Sequence, residues 1–416
     1  MKQFPRGRGE DSLIRKVTLP FVKGGGEGLL FHSKLYVWSS LSSLALKLLT
    51  NGIRYRYLKA TGKPSKPQAL SIEITQQCIA RCIMCNIWRS REGVDLPIED
   101  WIRLLSSPFF SELRELDVTG GEPFLRKDLL ELIDGLSRLK EGNLKKIKSL
   151  AITTNGFLTS RILECTEKIL EKLGNKGIHL VMALAMDGIG EVHDKIRNYK
   201  DAWTKVNDTI QGLRQLRRTT ENLVIGVKTT VLPQNVNLLE GISAYAEENE
   251  LFTIISPCII TANRYRNMDR KDDLAFAENE IERMVRFYKS GRFQWDFYRS
   301  HLINYMETGV MEKPCSAGFN YFFIRSNGDV YPCPLIKVKL GNIKEARVED
   351  LFHSKNAADF RKRVGRYSEC RICTEPGLER YALPFEGFTY LSLMVRLGKR
   401  DFLKLHQHMG LDKYFS

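Results

Sequence analysis

Residues 69–85 read "ALSIEITQQCIARCIMC", a short alternating segment followed directly by a run of cysteines. In "ALSIEIT" the apolar residues occupy every second position, which is the pattern of a β-strand. The thiols that follow have the spacing C-x3-C-x2-C and belong to Cys78, Cys82 and Cys85. The stretch therefore predicts a strand that carries a thiol-rich ligand site at its carboxyl end.

Strand-like segments alternate with helical patterns along the next part of the chain. The later strand candidates read "LRELDVTGG", "KSLAITTNG", "IHLVMALAMDG", "NLVIGVKTTVL" and "LFTIISPC". Between them, "RKDLLELIDGLSRLK" and "SRILECTEKILEKLG" have the spacing of helices. Six such repeats predict parallel strands with crossover helices, in either an open sheet or an incomplete barrel. In both architectures, ligands bind at the carboxyl ends of the strands.

The composition is that of a folded globular protein. The chain has 416 residues, of which 43% are hydrophobic, which is enough for one large domain and a smaller one. No apolar run reaches about 18 residues, and no secretory segment opens the sequence, so a cytoplasmic location without a transmembrane span is expected. The 64 basic and 49 acidic residues give a net charge of +15. Such a charge fits an acidic partner or simple solubility.

The region 1–67 precedes the strand pattern and is basic. Residues 1–28 are polar and Gly-rich, and we expect a poorly ordered arm. Apolar residues then recur at helical spacing among cations, and Asn51-Gly52 is a typical helix stop. Residues 35–50 are therefore expected either to make peripheral contact with a membrane or to pack on the catalytic domain.

The cysteine spacing indicates an iron–sulfur cluster rather than zinc. Structural zinc sites usually take four protein ligands paired at C-x2-C spacing, and this loop does not divide into two such pairs. A [4Fe-4S] cluster binds cysteine thiolates, so three cysteines leave one iron open for a substrate or cofactor.

At this point the sequence resembles the radical S-adenosylmethionine (radical SAM) superfamily. The cysteine motif matches its signature, with Met84 where an aromatic residue is usual. Further motifs of the family follow in order over roughly residues 68–260: "TGGEP" at 119–123, "TTNG" at 153–156, "AMDGIGEVHDKIR" at 185–197 and "TTVLPQNVNLLE" at 229–240. In the third of these, Ala185 replaces a usual Ser. The resemblance implies a partial (β/α)6 TIM-like barrel.

The resemblance also implies a reaction. S-adenosylmethionine (SAM) binds the open iron, an external donor of the ferredoxin or flavodoxin type reduces the cluster, and the resulting 5′-deoxyadenosyl radical takes hydrogen from a substrate. The resemblance further implies that Glu122 accepts a hydrogen bond from the SAM amino group, that Asp187 accepts from the ribose hydroxyls, and that Arg197 pairs with the SAM carboxylate. The alternatives are a helix cap for Asp187 and a surface ion pair for Arg197. The implied SAM contacts are Met84, Gly120, Gly121, Glu122, Pro123, Thr154, Asn155, Asp187, Arg197 and Val231.

A second cysteine group lies near the end of the chain. It comprises Cys315, Cys333, Cys370 and Cys373, and "SNGD" before Cys333 predicts a hairpin. The group resembles the SPASM/twitch auxiliary domain, which implies a second [4Fe-4S] cluster in a small C-terminal β-hairpin and helix domain. Zinc bound by the same four thiols is the alternative. Cys258, after the sixth strand, is either a hydrogen-atom donor or structural.

These motifs divide the chain and define two hypotheses. The expected parts are 1–67, a basic arm and amphipathic helix; 68–265, the radical SAM core; 266–314, a helical connector; 315–380, the auxiliary-cluster domain; and 381–416, a helical tail. The first hypothesis is a radical SAM enzyme acting on a peptide or protein side chain, or on an anionic or membrane-borne small molecule. The second is a non-catalytic iron–sulfur or zinc protein for electron transfer or scaffolding. Nucleic acid is not an expected partner, because no aromatic-basic RNA-binding motif is present.

Overall fold

A computed structural model describes residues 40–89 and 93–415, and the chain from Ser43 to Ser416 forms one compact unit. All six predicted strands are confirmed. They are β1 (Ala69–Thr75), β2 (Glu115–Gly120), β3 (Ser149–Thr154), β4 (His179–Ala185), β5 (Leu223–Val231) and β6 (Phe252–Pro257). Each is parallel to the next one in the chain.

Helices connect these strands. The helices up to the sixth strand are α1 (Ser40–Thr61), α2 (Ile98–Leu105), α3 (Leu129–Glu141), α4 (Thr159–Gly174), α5 (Glu191–Arg197), α6 (Ala202–Arg217) and α7 (Leu239–Glu248). The helices predicted for 126–140 and 160–174 are confirmed by α3 and α4. In the part of the chain that the structure describes, no helix has the length and apolar content needed to cross a bilayer.

The strand order identifies the sheet as an incomplete barrel. Neighbouring strands follow chain order from β1 to β6, whereas a doubly wound open sheet reverses its order at a switch point. One face of each strand packs into the core; Leu116, Val118 and Ile152, for example, are fully buried. Residues on the alternate positions, such as Asp117 and Lys228, are less buried and face the interior. The predicted partial TIM-like barrel is therefore confirmed.

The C-terminal part extends the same sheet. Its elements are α8 (Glu278–Lys289), α9 (Asp296–Thr308), β7 (Tyr321–Ile324), β8 (Asp329–Tyr331), β9 (Gly341–Asn342), α10 (Val348–His353), α11 (Lys355–Arg363), α12 (Pro376–Glu386) and α13 (Phe388–His408). The predicted hairpin is confirmed, since β7 and β8 are antiparallel neighbours. In addition, β7 pairs in parallel with β1, so the described strands form one nine-stranded sheet. This pairing was not predicted from the sequence.

The helix stop predicted at Asn51-Gly52 is wrong, because α1 continues to Thr61. The amide of Asn51 donates to the carbonyl of Pro384 over 2.8 Å. A Cβ atom on Gly52 would lie 2.6 Å from the ring of Phe388. The glycine is thus explained by close packing of α1 on the start of α13. The expected disordered arm at 1–28, and the start of the helix predicted at 35–50, lie outside the described residues.

Candidate active site

The cysteine loop leaves the carboxyl end of β1 and is held by backbone hydrogen bonds from two directions. The N–H of Ile83 donates to the carbonyl of Ile196 over 2.9 Å, and the N–H of Arg81 to that of Arg197 over 3.2 Å. On the other side, the N–H of Asn86 donates to the carbonyl of Tyr265 over 2.9 Å. The end of α5 and the segment after β6 therefore fix the loop in place.

The three thiols of the loop share one environment. Burial, together with the charges of Cys82 and Cys78, raises the pKa of Cys85 to about 12. Burial and then the charge of Cys82 raise the pKa of Cys78 to about 11. Since Cys85 responds to the charges of both other thiols and Cys78 responds to that of Cys82, the three sulfur atoms are close together. Iron ligation requires thiolates, so binding of iron displaces protons that these thiols otherwise hold.

Two polar side chains reach these sulfur atoms, one from the end of α5 and one from the residue after β3. Nη1 of Arg197 lies 3.6 Å from Sγ of Cys82, and Nδ2 of Asn155 lies 3.9 Å from Sγ of Cys78. Both groups are donors, so they favour the charged thiolate that ligates iron. The donor set around the loop therefore fits an iron–sulfur cluster.

Gly120 and Gly121 lie directly against the backbone that leads into the cysteine loop. A Cβ atom on Gly120 would lie 2.3 Å from the carbonyl oxygen of Thr75, and one on Gly121 would lie 2.1 Å from that of Gln77. The N–H of Gly121 donates to Thr75, and that of Glu122 to Gln77, at 2.8 and 2.7 Å. Only glycine permits this contact, which places the "TGGEP" segment beside the three thiols.

Glu122 connects this segment to the end of β3. Its carboxylate accepts from the hydroxyl of Thr154 at 2.8 and 3.0 Å, and from the N–H groups of Asn155 and Phe124 at 2.8 and 3.1 Å. Burial raises its pKa to about 7, although these donors favour the charged form. The contact with the SAM amino group stays a prediction, and the structure adds a positioning role for Glu122.

Asp187 and Arg197 form a buried ion pair. Nη2 of Arg197 lies 2.5 Å from Oδ2 of Asp187, in a charge contact without hydrogen-bond alignment. The other oxygen accepts from the N–H of Thr230 over 2.8 Å. The N–H of Asp187 donates to Nδ1 of His193, and its carbonyl accepts from Nδ2 of Asn235. The contacts of Asp187 with the SAM ribose and of Arg197 with the SAM carboxylate stay predictions. The structure shows that the two side chains contact each other.

The remaining predicted residues border the same region. Pro123 is buried and begins a short 3-10 turn, and the carbonyl of Val231 accepts from the N–H of Cys258 over 2.9 Å. The carbonyl of Met84 accepts from Nδ2 of Asn267 over 2.9 Å, and the same amide lies 3.9 Å from Sγ of Cys258. Burial raises the pKa of Cys258 to about 12. Asn267 was not singled out from the sequence, because a lone loop Asn carries no distinctive pattern.

The second cysteine group surrounds one cavity. Its volume is about 290 Å³, and its lining includes all four predicted thiols, Cys315, Cys333, Cys370 and Cys373. Burial raises the pKa of Cys315 to about 12, and the charges of Cys370 and Cys373 add to the effect. Four thiols that influence one another around a shared space fit a multi-iron cluster.

Cations outnumber carboxylates around this cavity. Lys59 of α1, Lys313 and Arg366 belong to its lining, together with Glu312 and Glu369. The hydroxyl of Tyr55, also on α1, donates to the carbonyl of Cys315 over 2.7 Å. Positive charge stabilises an anionic thiolate-ligated cluster. This role of α1 was not predicted from the sequence, which indicated membrane contact or packing for that helix.

The described part of the chain holds no three-ligand site for a single metal ion. Among residues 40–89 and 93–415, no group of three His, Cys, Asp or Glu side chains is arranged around one metal position. In the predicted clusters each thiolate binds a different iron atom.

Comparison with known families agrees with this geometry. The sequence model of the radical SAM superfamily matches residues 72–235, and that of SPASM, an iron–sulfur cluster-binding domain, matches residues 315–374. The chain belongs to the radical SAM superfamily and carries a C-terminal SPASM-type domain. Its cofactors are accordingly [4Fe-4S] clusters and SAM, and the protein is an enzyme.

Two relatives cover most of the chain. Sporulation killing factor maturation protein SkfB of Bacillus subtilis (strain 168) is 23% identical over 336 residues, which is 80% of this chain and 70% of SkfB. AdoMet-dependent heme synthase of Methanosarcina barkeri is 24% identical over 323 residues, which is 71% of this chain and 84% of the synthase. The relatives thus include proteins of different function.

Solved structures share the fold. Streptococcus suis SuiB bound to S-adenosylmethionine has a TM-score of 0.54 at 16% identity, with 78% of this chain and 76% of SuiB covered. SuiB bound to precursor peptide SuiA has a TM-score of 0.54 at 18% identity, with 78% and 75% covered. At this identity the similarity shows a shared fold.

Proposed function

We propose that this protein uses SAM to abstract a hydrogen atom from a peptide substrate. The observation that carries the proposal is the convergence of groups from the segments that follow β1, β2, β3 and β4 around the thiols of Cys78, Cys82 and Cys85. When bound, the cluster and SAM together supply a 5′-deoxyadenosyl radical. The protein itself contributes the binding and orientation of these groups and of the substrate.

The side chains around the loop have distinct tasks in this proposal. Arg197 and Asn155 donate toward the sulfur atoms and stabilise their negative charge. Glu122 holds the glycine segment against the end of β3, so that its backbone presents a fixed surface to SAM. Burial of these polar contacts keeps water from the site where the radical forms.

The auxiliary cavity has a second role. Its four thiols would ligate a second [4Fe-4S] cluster, and the cations of Lys59, Lys313 and Arg366 would lower the cost of its negative charge. We assign this cluster to electron transfer or structure, because full cysteine ligation leaves no open iron. An external donor of the ferredoxin or flavodoxin type would supply the electron for the first cluster.

A peptide is the substrate class with the best support. SuiB has been solved with a precursor peptide, and the relative SkfB is by its name a maturation protein for a sporulation killing factor. The heme synthase relative supports a small molecule as the second candidate. Anaerobic reconstitution followed by assay of 5′-deoxyadenosine tests the enzyme proposal and separates it from a non-catalytic iron–sulfur or zinc protein.

Helix α1 supports a peripheral membrane contact. Leu46, Ile53 and Tyr57 are each more than half exposed on it, at 61, 59 and 54%. Lys47 and Arg54 are exposed beside them, and no acidic residue occurs in the helix. We propose that this face binds an anionic lipid surface, to which the net charge of +15 also contributes.

A further inference from the structure

Lys228 lies in the interior of the barrel between the two thiol sites. It belongs to the inward row of β5, in register with Ala185 of β4 and Ile254 of β6. Its charge acts on Asp187, which is paired with Arg197 beside the first thiol loop. On the other side, Glu375 acts on Lys228 and lies two residues after Cys373.

Four charged side chains face one another across this interior. They come from different elements: Asp117 from β2, Lys228 from β5, Arg264 from the segment after β6, and Glu375 from the start of α12. Strands β2 and β5 are separated by two others, so Asp117 and Lys228 can influence each other only across the interior. The four groups therefore surround one space.

These charges are near one another without pairing. Asp117 accepts from the hydroxyl of Ser71 over 2.8 Å, and Nη2 of Arg264 donates to the hydroxyl of Thr119 over 3.1 Å. The ammonium of Lys228 has no hydrogen bond or ion pair with any of the described residues. Its three N–H donors therefore meet no acceptor among the described residues, so a ligand that supplies anionic oxygen atoms would satisfy them.

Small side chains border Lys228 on β4. Ala185 is in register with it, and Ala183 lies two positions earlier on the same inward row. Burial opposes protonation of Lys228, yet the nearby carboxylate of Glu375 raises its pKa above the ordinary value. Lys228 therefore stays charged at neutral pH.

We propose that Lys228 and Arg264 bind a carboxylate of the substrate and thereby select acidic peptides. The carboxylate is either an Asp or Glu side chain or the free C-terminus, since both present the same group. A monoanion fits better than a phosphate, because Asp117 and Glu375 add negative charge that would repel a dianion. The inference rests on the proposed function, in that it places the substrate in the barrel.

Binding of matched probe peptides to the reconstituted holoenzyme with SAM tests the inference. The probes are acetylated tripeptides that differ in one group: a central Glu against a central Gln, and a free C-terminal acid against an amide. Equilibrium dialysis is expected to give at least about tenfold tighter binding of one carboxylate probe over its neutral match. Which pair shows the preference identifies the source of the carboxylate.

Variants locate the preference. Lys228→Met is expected to abolish it, Lys228→Arg to retain most of it, and Lys355→Met, an exposed lysine on α11, to leave it unchanged. Equal binding of the neutral and acidic wild-type probes would overturn the inference, as would tighter binding of a phosphoserine probe. Loss of SAM cleavage bears on the proposed function instead, because the probe preference is measured by binding alone.

Discussion

Arg197 contacts both Cys82 and Asp187, with Nη1 3.6 Å from the sulfur and Nη2 2.5 Å from the carboxylate. One buried cation thus compensates two groups that both become negative in the working protein. Because Arg197 ends α5, the position of that helix and the charge of the thiol loop are linked. This link makes Arg197 a natural place to test the site.

Replacement of Arg197 is expected to damage both stability and cluster binding. Arg197→Met leaves Asp187 buried without a counter-charge, which costs about 3–5 kcal/mol in comparable buried pairs. Arg197→Lys keeps the charge and should lose less. Urea unfolding and iron content measure the two effects, with the exposed Arg218→Met as control. An Arg197→Met protein with wild-type stability and iron would contradict the assigned role.

The close approach at Gly121 predicts a selective loss of the first cluster. In Gly121→Ala, the new Cβ would lie 2.1 Å from the carbonyl oxygen of Gln77, so the backbone before Cys78 must shift. We expect iron to fall from about eight to about four atoms per chain, while the auxiliary cluster remains. Gly241→Ala on α7, where the nearest atom is 3.7 Å from the Cβ, is the matched control. Full iron content in Gly121→Ala would show that the segment does not support the loop.

Glu122 predicts a pH dependence of stability. Its pKa is raised from 4.5 to about 7, so the folded protein binds this proton more tightly than the unfolded chain. Stability from this group is present below the unfolded value and is lost as pH rises through the folded value. Between about pH 5 and about pH 8, wild type should lose on the order of 3 kcal/mol relative to Glu122→Gln.

Urea unfolding of the reconstituted protein across this range measures the difference, with the exposed Glu240→Gln as control. A wild-type curve parallel to that of Glu122→Gln would mean that the carboxyl titrates near its ordinary pKa.

The auxiliary cavity predicts a separable second cluster. Cys333→Ala removes a buried ligand, so about four iron atoms should be lost while SAM still binds. Iron and zinc are counted by mass spectrometry, and SAM binding by dialysis. Cys165→Ala, a cysteine buried in α4, is the control. Stoichiometric zinc in the wild-type cavity would replace the cluster assignment with a zinc site.

The exposed face of α1 predicts binding to anionic vesicles. Phosphatidylcholine vesicles that contain phosphatidylglycerol should bind the protein, and added salt should weaken this. Replacing both Leu46 and Ile53 by Ser should weaken binding about tenfold or more, because their exposed side chains would no longer enter the interface. Val94→Ser, at an 81% exposed residue outside α1, is the control. Equal binding of wild type and the double variant in cosedimentation would remove the membrane proposal.

The sequence predicted the elements well where a local period carries the information. Alternation in "ALSIEIT" and its successors located β1–β6, because the inward and outward faces of a barrel strand differ in polarity. Pairing of β7 with β1 could not be predicted, since it joins distant segments and leaves no local pattern. The helix stop predicted at Asn51-Gly52 was wrong for the same reason, because Gly52 packs against Phe388, which is distant in the sequence.

In the candidate site too, local motifs could be predicted from the sequence and contacts between distant segments could not. The thiols and the "TGGEP" and "TTNG" segments were visible because their residue types are unusual at close spacing. The contacts that connect them, such as that of Arg197 with Asp187, depend on how α5 packs against the loop. Lys228 had no signal either, because a single lysine in a strand is ordinary until its neighbours across the barrel are known.

Anaerobic assay of 5′-deoxyadenosine tests the central claim most directly. Reconstituted wild-type protein with SAM and a strong reductant should release 5′-deoxyadenosine, whereas Cys82→Ala should release none. Cys165→Ala should behave as wild type. Absence of 5′-deoxyadenosine from a wild-type protein that holds its full iron content and binds SAM, even with peptide extracts added, would contradict the claim that this protein is a radical SAM enzyme.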